Sequence, residues 1–328
     1  MQRELAFDPF PLFDNNHLQT IIGCFSRFCL PPPSDTVYVP LPDRDVITME
    51  ISTPKGWRPC DPTVVLVHGL CGSHRSSYLV RMANKLTKKG TRAVRVNLRG
   101  CGSSRGLSRH IYNGGQSADI LEALKALKKL FAFSPTTLVG FSLGGNIVLR
   151  LAGELLSEAT QYFQKVIAIN PPVDLYSSIL RLDHPDNAIY QYYFLKLMRE
   201  DVRYRHRKFP DLQKIDLPDK LTCLEFDRIY SAPHFGFSNV KDYYDKSSCK
   251  YLLPLIRIPA KILWSRDDPI IEPETFEGWQ LPDNIEVFVT KKGGHMGYLG
   301  RMGKNREFHW LDHLLMDWID GSPEGQKE

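Results

Sequence analysis

Residues 136–156 read TTLVGFSLGGNIVLRLAGELL. The stretch opens with an apolar, β-favouring run, Thr136-Thr137-Leu138-Val139, and turns sharply through Gly140-Phe141-Ser142-Leu143-Gly144-Gly145. It leaves with Ile147, Val148, Leu151, Ala152 and Leu155 at helical spacing. Gly-x-Ser-x-Gly between a strand and a helix is the pattern of a nucleophile elbow. A serine in such a turn sits on strained backbone, and a Cβ two residues to either side would strike the neighbouring strand or helix. Gly140 and Gly144 remove those atoms. The following helix brings its amides and positive dipole end to the place where an oxyanion would form.

The bulk numbers exclude several classes. A chain of 328 residues, 42% hydrophobic and 24% charged, has the material for a large α/β core. A net charge of +5, from 42 basic and 37 acidic residues, is too mild to argue for nucleic acid. No apolar run approaches the roughly 18 residues needed to span a bilayer. The opening MQRELAFDPFPLF lacks the continuous apolar segment of a signal peptide. Seven scattered cysteines without a Cys-x-x-Cys pair argue against a disulfide framework or a zinc site, so a reducing cytoplasm is expected.

Outward from the elbow the chain alternates. Residues 36–41 and 46–51 read as a hairpin around Pro42-Asp43-Arg44-Asp45. TVVLV at 63–67 reads as a strand buried on both faces. Further strands are expected at 92–97, 165–169, 260–264 and 285–289. Helices are expected at 76–89, 116–131, 275–279 and 306–320, the last with Phe308, Leu311, Leu315 and Trp318 on one face. Alternation stops between Pro171 and Lys250, where residues 187–208 read as a basic, aromatic helix. The expected organisation is an irregular arm (1–35), an α/β core (36–170 and 251–320), a helical cap (171–250) and a polar tail (321–328). Right-handed βα units give an eight-stranded, mostly parallel sheet flanked by helices. Ligands bind beyond the carboxyl ends of such strands, so functional residues should follow strands.

They do. A serine hydroxyl needs a base, and the base needs an orienting carboxylate. After the elbow, Ser265-Arg266-Asp267-Asp268-Pro269-Ile270-Ile271 follows one strand and Lys292-Gly293-Gly294-His295-Met296-Gly297 follows the next. The order Ser142, Asp268, His295 is that of the α/β-hydrolase fold. Asp268 is assigned the orienting role because Pro269 and the two isoleucines anchor its loop in the core; Asp267 then caps the loop or faces solvent. The N–H groups of Leu143 and Leu70 are the expected oxyanion donors, the latter in His68-Gly69-Leu70 directly after the strand at 63–67. Losing one such donor typically costs about 3 kcal/mol of transition-state stabilisation. His68, Gly69, Phe141 and Met296, beside these groups, are expected to contact substrate.

With these motifs in order, the chain resembles the α/β-hydrolase superfamily over about residues 36–320. Within it the chain is most similar to the YheT-like branch of bacterial esterases, yeast medium-chain ester enzymes and animal abhydrolase-domain proteins of the 1/3 type. The residues that carry the likeness are Asn16-His17-Leu18-Gln19-Thr20, His68-Gly69-Leu70-Cys71-Gly72-Ser73, Asn97-Leu98-Arg99-Gly100-Cys101-Gly102, Gly140 through Asn146, and Asp267-Asp268-Pro269. The resemblance implies a serine carboxylesterase acting through an acyl-enzyme on short- to medium-chain acyl esters, with no metal or organic cofactor. It leaves open acyl transfer to an alcohol and lipase or phospholipase action on the same groups. A binding scaffold without activity is the reading of another class, and the complete Ser, Asp and His set weighs against it. Animal members carry an N-terminal membrane anchor, which this sequence does not show, so their location is not carried over.

Other groups carry less. Cys71 and Cys101 fit as small residues in loops near the site, and His309 and His313 lack an evident third metal ligand. Arg199, Arg203, Arg205, Arg207 and Lys208, beside Tyr190, Tyr192, Tyr193 and Phe194, read as a solvated face of the cap helix. A sharper reading has that cap covering an apolar acyl tunnel and meeting an anionic head group or lipid surface.

Overall fold

The computed structural model describes residues 2–25, 29–301 and 308–321. The strands are β1 (Gln2–Glu4), β2 (Asp8–Pro9), β3 (Asp35–Pro40), β4 (Val46–Ser52), β5 (Thr63–Val67), β6 (Arg92–Asn97), β7 (Thr136–Phe141), β8 (Lys165–Ile169), β9 (Ala260–Ser265), β10 (Ile285–Thr290) and β11 (Gly300–Arg301). Nine of them form one sheet in the order β1-β10-β9-β8-β7-β5-β6-β4-β3. Pairing is parallel from β1 to β6; β4 is antiparallel to both β6 and β3. The crossover helices are α2 (Ser77–Lys88), α3 (Ser117–Leu130) and α4 (Leu143–Leu155), and α10 (Trp310–Asp320) closes the chain; α1 (Asn16–Phe25) precedes the sheet's hairpin.

The pleat explains the layers. Val65 and Val67 face the side covered by Ile120 and Leu124 of α3 and Ile147, Val148 and Leu151 of α4. Val64 and Leu66 face the other side, with Leu79, Met82 and Leu86 of α2 and Leu311, Leu315 and Trp318 of α10. Both faces of β5 are therefore dry, as its unbroken apolar sequence requires. Among the described residues no helix is long and apolar enough to cross a membrane.

Four expectations are corrected. The sheet has nine strands rather than eight, because the arm contributes β1 beside β10 in the register Gln2↔Val287 to Glu4↔Val289. An edge strand of Gln-Arg-Glu pairs through its main chain and carries no apolar alternation to read. The arm, expected to be irregular with one helical turn, holds the ten-residue helix α1. Residues 275–279 are not a helix of their own; the helical turn is the 3₁₀ segment Pro273–Phe276. Phe308 precedes α10 and lies half exposed against Phe10, ring centroids 4.7 Å apart. Residues 302–307 and the tail 322–328 lie outside the described residues.

Between β8 and β9 the chain is helical: α5 (Leu175–Leu182), α6 (Ala188–Lys208), α7 (Cys223–Phe226), α8 (Ala232–His234) and α9 (Val240–Ser247). A π-helical turn, Asp227–Ser231, joins α7 to α8. Leu182, Tyr190, Leu195, Val202, Phe226 and Tyr230 pack together beneath α6. Arg205 does not share the solvated face read for its basic run. It is 2% exposed, with Nε 2.8 Å from Asp201 and Nη1 donating to the Ser108 and His110 carbonyls at 2.8 and 2.6 Å. Arg203, Arg207 and Lys208 are exposed.

Candidate active site

Ser142 sits between β7 and α4 with φ 51° and ψ −123°, a conformation an L residue holds only when its surroundings impose it. The glycines around it are a steric necessity. A Cβ at Gly140 would lie 2.3 Å from the Gly144 carbonyl oxygen, and one at Gly144 would lie 2.5 Å from the carbonyl oxygens of Val67 and His68. The turn can form only because these atoms are missing.

Ser142 Oγ lies 2.8 Å from His295 Nε2, and His295 Nδ1 lies 2.8 Å from Asp268 Oδ2. Asp268 can only accept when ionised, so Nδ1 carries the imidazole proton and Nε2 accepts from the serine hydroxyl. The Asp268 side chain is fully buried and has four donors. Oδ2 takes His295 and the Asn170 amide at 2.7 Å; Oδ1 takes the Ile270 and Ile271 N–H groups at 2.8 and 3.1 Å. Asp267 points elsewhere: Oδ1 accepts from the Gly294 N–H at 2.9 Å, capping the loop that holds His295, and burial raises its carboxyl pKa.

Leu70 and Leu143 are both brought to Ser142 and border the same cavity. The Gly69 N–H donates to the Tyr78 hydroxyl at 3.0 Å and the Cys71 N–H to the Tyr112 hydroxyl at 2.7 Å. The amides of Leu70 and Leu143 have no such acceptor among the described residues. Two N–H groups beside a serine hydroxyl, left without partners while their neighbours are tied down, have the chemistry an oxyanion needs.

The four expected substrate contacts divide. Gly69 and Met296 border the cavity at Ser142. Phe141 does not: it is fully buried and packs on Tyr78 at 4.7 Å, because alternate strand residues point away from the site's side of β7. His68 does not either. It is fully buried, Nδ1 donates to the Gly69 carbonyl at 2.8 Å and Nε2 accepts from the Leu98 N–H at 3.2 Å. Its work is to pin the loop carrying Leu70 to the loop after β6.

Both His68 nitrogens are committed in the neutral form, and burial holds its pKa down at about 4 against the ordinary 6.5. The unfolded chain therefore takes up this proton first as pH falls. The contribution is fully present above pH 6.5 and is lost progressively down to about pH 4, by up to roughly 3 kcal/mol. Urea denaturation from pH 8 to 4 is expected to show this fall, and His68→Gln is expected to lack that part of it.

Several residues hold the site in roles that the sequence does not assign to them. Asn170, directly after β8 with φ 43°, donates to Asp268 and to the Gly294 carbonyl and accepts from the Tyr298 hydroxyl at 2.9 Å. The rule that functional residues follow strands, applied to β8, could have found it. Helix α1 clamps the His295 loop. Thr20 Oγ1 accepts from the His295 N–H at 2.8 Å, the Asn16 amide donates to the Asp267 carbonyl at 2.9 Å, and Gln19 bonds both polar groups of Leu299. Asn146 ties α4 to the loop before α3 through the Gly114 carbonyl and to the insertion through the Ser247 carbonyl and the Cys249 N–H.

Two chambers meet at Ser142 and His295. One, of about 370 Å³, runs under the inserted helices past Leu143, Leu175, Ile179, Leu182, Met198 and Phe226. The other, of about 960 Å³, lies between α1 and α6 and is bordered by Ile21, Cys24, Ile189, Tyr190, Tyr193 and Met296. Burial pushes the Cys71 thiol up to about 12, so it is protonated and poorly nucleophilic. Asp43, Asp45 and His110 group like metal ligands, but Arg99 Nη1 already lies 2.5 and 2.8 Å from the two carboxylates and supplies the positive charge.

Comparison with known proteins bears on the fold and the family. The chain is 28% identical to "Putative esterase YheT" of Escherichia coli, over 95% of this chain and 92% of that protein. It is 30% identical to the monoacylglycerol lipase of Saccharomyces cerevisiae, over 72% of this chain and 55% of that enzyme. The Pyrococcus furiosus esterase Pf2001 superposes with a TM-score of 0.57 at 16% identity, covering 88% of this chain and 92% of that one, and so shares the fold. The family model described as the alpha/beta hydrolase fold matches residues 62–301, and the chain belongs to that family.

Proposed function

We propose that this protein is a serine carboxylester hydrolase that works through an acyl-enzyme on short- to medium-chain acyl esters. The observation that carries the reading is the linear set Ser142 Oγ, His295, Asp268, with both contacts at 2.8 Å. Ser142 attacks the ester carbonyl while His295 Nε2 takes its proton and then gives it to the leaving alcohol. Asp268 orients the imidazole and stabilises its charged form. The Leu70 and Leu143 amides hold the oxyanion. Water, activated by the same histidine, releases the acid. No metal or organic cofactor enters these steps.

In this reading residues 171–250 cap the site and their chamber takes the acyl chain, while the chamber beside α1 takes the alcohol part. Residues 1–35 form an arm on the core, 36–170 and 251–320 the core itself. Relatives that are an esterase and a monoacylglycerol lipase favour an ester substrate. Ile189 and Tyr192, 59% and 71% exposed beside the second chamber, suit a peripheral contact with a lipid surface. Seven free cysteines fit a reducing, cytoplasmic compartment. An alcohol in place of water at the second step would make the same set an acyltransferase.

The test is hydrolysis of p-nitrophenyl esters from acetate to palmitate together with fluorophosphonate labelling. Activity should peak at one short to medium length, and the probe should modify Ser142. Labelling without hydrolysis at any length would point to an obligatory alcohol acceptor. No adduct at Ser142 would sink the enzyme reading.

A further inference from the structure

The chamber under the inserted helices is not apolar throughout. Asp227 lies on its wall, with Ser231, Tyr243 and Tyr244 beside it. Asp227 and Ser231 occupy the two ends of the π-helical turn between α7 and α8. Such turns are rare and concentrate at functional sites, because the extra residue re-aims side chains that an α-helix would stack. Here the turn brings Ser231 Oγ to donate to Asp227 Oδ1 at 2.5 Å. From α9 the Tyr244 hydroxyl donates to Oδ2, also at 2.5 Å.

Among the described residues this carboxyl has no cationic partner. The other charge acting on it is a second carboxylate, Asp183, which is itself held by the Cys223 and Leu224 N–H groups and the Gln191 amide. Burial raises the Asp227 pKa to about 6, and its two hydroxyl donors only partly offset that. Each of its oxygens has a further lone pair once Ser231 and Tyr244 are counted. Asp227 is half-buried and lines the chamber. A half-buried carboxylate with no cation beside it among the described residues is a costly feature for a wall that only had to solvate hydrocarbon. Leu175, Tyr243 and Tyr244 pack together, with Leu143 against them, so this wall is continuous with the residue next to Ser142.

We propose that Asp227, with Ser231 and Tyr244, forms a polar subsite in the acyl chamber that receives a hydrogen-bond donor, a hydroxyl or an ammonium group, carried on the acyl chain away from the ester. The inference rests on the ester-hydrolase reading for the placement of the acyl chain. Plain hydrocarbon leaves the carboxylate as it is. A hydroxyl completes its hydrogen bonding, and an ammonium also neutralises it. A site built to bond such a group discriminates against an analogue that lacks it.

The experiment compares matched p-nitrophenyl esters, unsubstituted, ω-hydroxy and ω-amino, from hexanoate to dodecanoate, on wild type, Asp227→Asn and Asp227→Leu. At the best length the wild type is expected to favour the ω-hydroxy ester over the plain one by roughly tenfold or more in kcat/KM. Asp227→Leu should lose that preference while still cleaving plain esters. Asp227→Asn, which keeps the shape and an acceptor oxygen, should retain preference for the hydroxyl and lose it for the ammonium. Binding of the matching methyl esters to Ser142→Ala by calorimetry reads the same preference without turnover. If no ester were cleaved, the ester-hydrolase reading would fail while the affinities still decided the subsite. Equal affinity and equal kcat/KM for plain and substituted esters at every length, or a preference unchanged in Asp227→Leu, would overturn the proposal.

Discussion

Replacing Ser142 by alanine is expected to lower kcat on the best p-nitrophenyl ester by a factor of roughly 10⁴ or more, with KM little changed. The size follows from what is removed. In the proposed mechanism the hydroxyl is the atom that forms the acyl-enzyme, and the nearby Cys71 thiol, held protonated by burial, does not replace it. Water attacking directly would still meet the proposed oxyanion donors, the Leu70 and Leu143 amides, so the expected loss is large but finite. KM should hold because the two chambers are walled by other side chains. The fold should tolerate the change, since Ser142 Oγ bonds only His295 among the described residues. The measurement is the ester series on both proteins with the fluorophosphonate adduct as a second readout. Equal rates would mean that another residue is the nucleophile.

Asp268→Asn is expected to cost about 10³- to 10⁴-fold in kcat, against less than about tenfold for Asp267→Asn. Asp268 accepts four hydrogen bonds, two at each oxygen, all from donors. An asparagine amide has one accepting end. If its oxygen faces His295 and Asn170, its NH₂ meets the Ile270 and Ile271 N–H groups. If it turns round, the NH₂ meets His295 Nδ1, which must then surrender its proton to Nε2. The imidazole would present N–H to Ser142 and could no longer take the hydroxyl proton. Asp267 uses one oxygen for the Gly294 N–H, which an asparagine oxygen can keep. Rates for the two variants at pH 8, with thermal melting to confirm folding, decide the matter. A larger loss in Asp267→Asn would reverse the assignment.

The two aspartates also show how far the sequence could be read. Adjacent in the chain, they were separated by the apolar residues after them: Pro269 and Ile270-Ile271 pull the loop into the core, and Asp268 goes with it. The elbow was legible for a similar reason. A strand, two glycines and a helix follow one another in the chain, so the pattern is legible locally even though the backbone that Gly144 admits is that of Val67 and His68. His68 and Phe141 are adjacent to the site in the chain, but their side chains are not adjacent to it in space. Their side chains project from strand ends in the direction that the pleat, not the motif, decides.

What the sequence by itself determined was therefore the order of the core strands and helices, the loops that follow them and the place of Ser142, Asp268 and His295 after strand ends. Periodicity, turn chemistry and glycine sterics act over short separations and leave local marks. Only the tertiary structure decided that Gln2–Glu4 completes the sheet, that α1 holds the His295 loop, that Asn170 shares Asp268, and that Asp227 lines the chamber under the inserted helices. Asn16 and the Asp267 carbonyl it bonds are 251 residues apart, and Asn170 and Asp268 are 98 apart. Polar partners at such distances obey no repeat. Their pairing follows from which strand ends the parallel sheet sets side by side, and that order comes from packing the whole chain around one core.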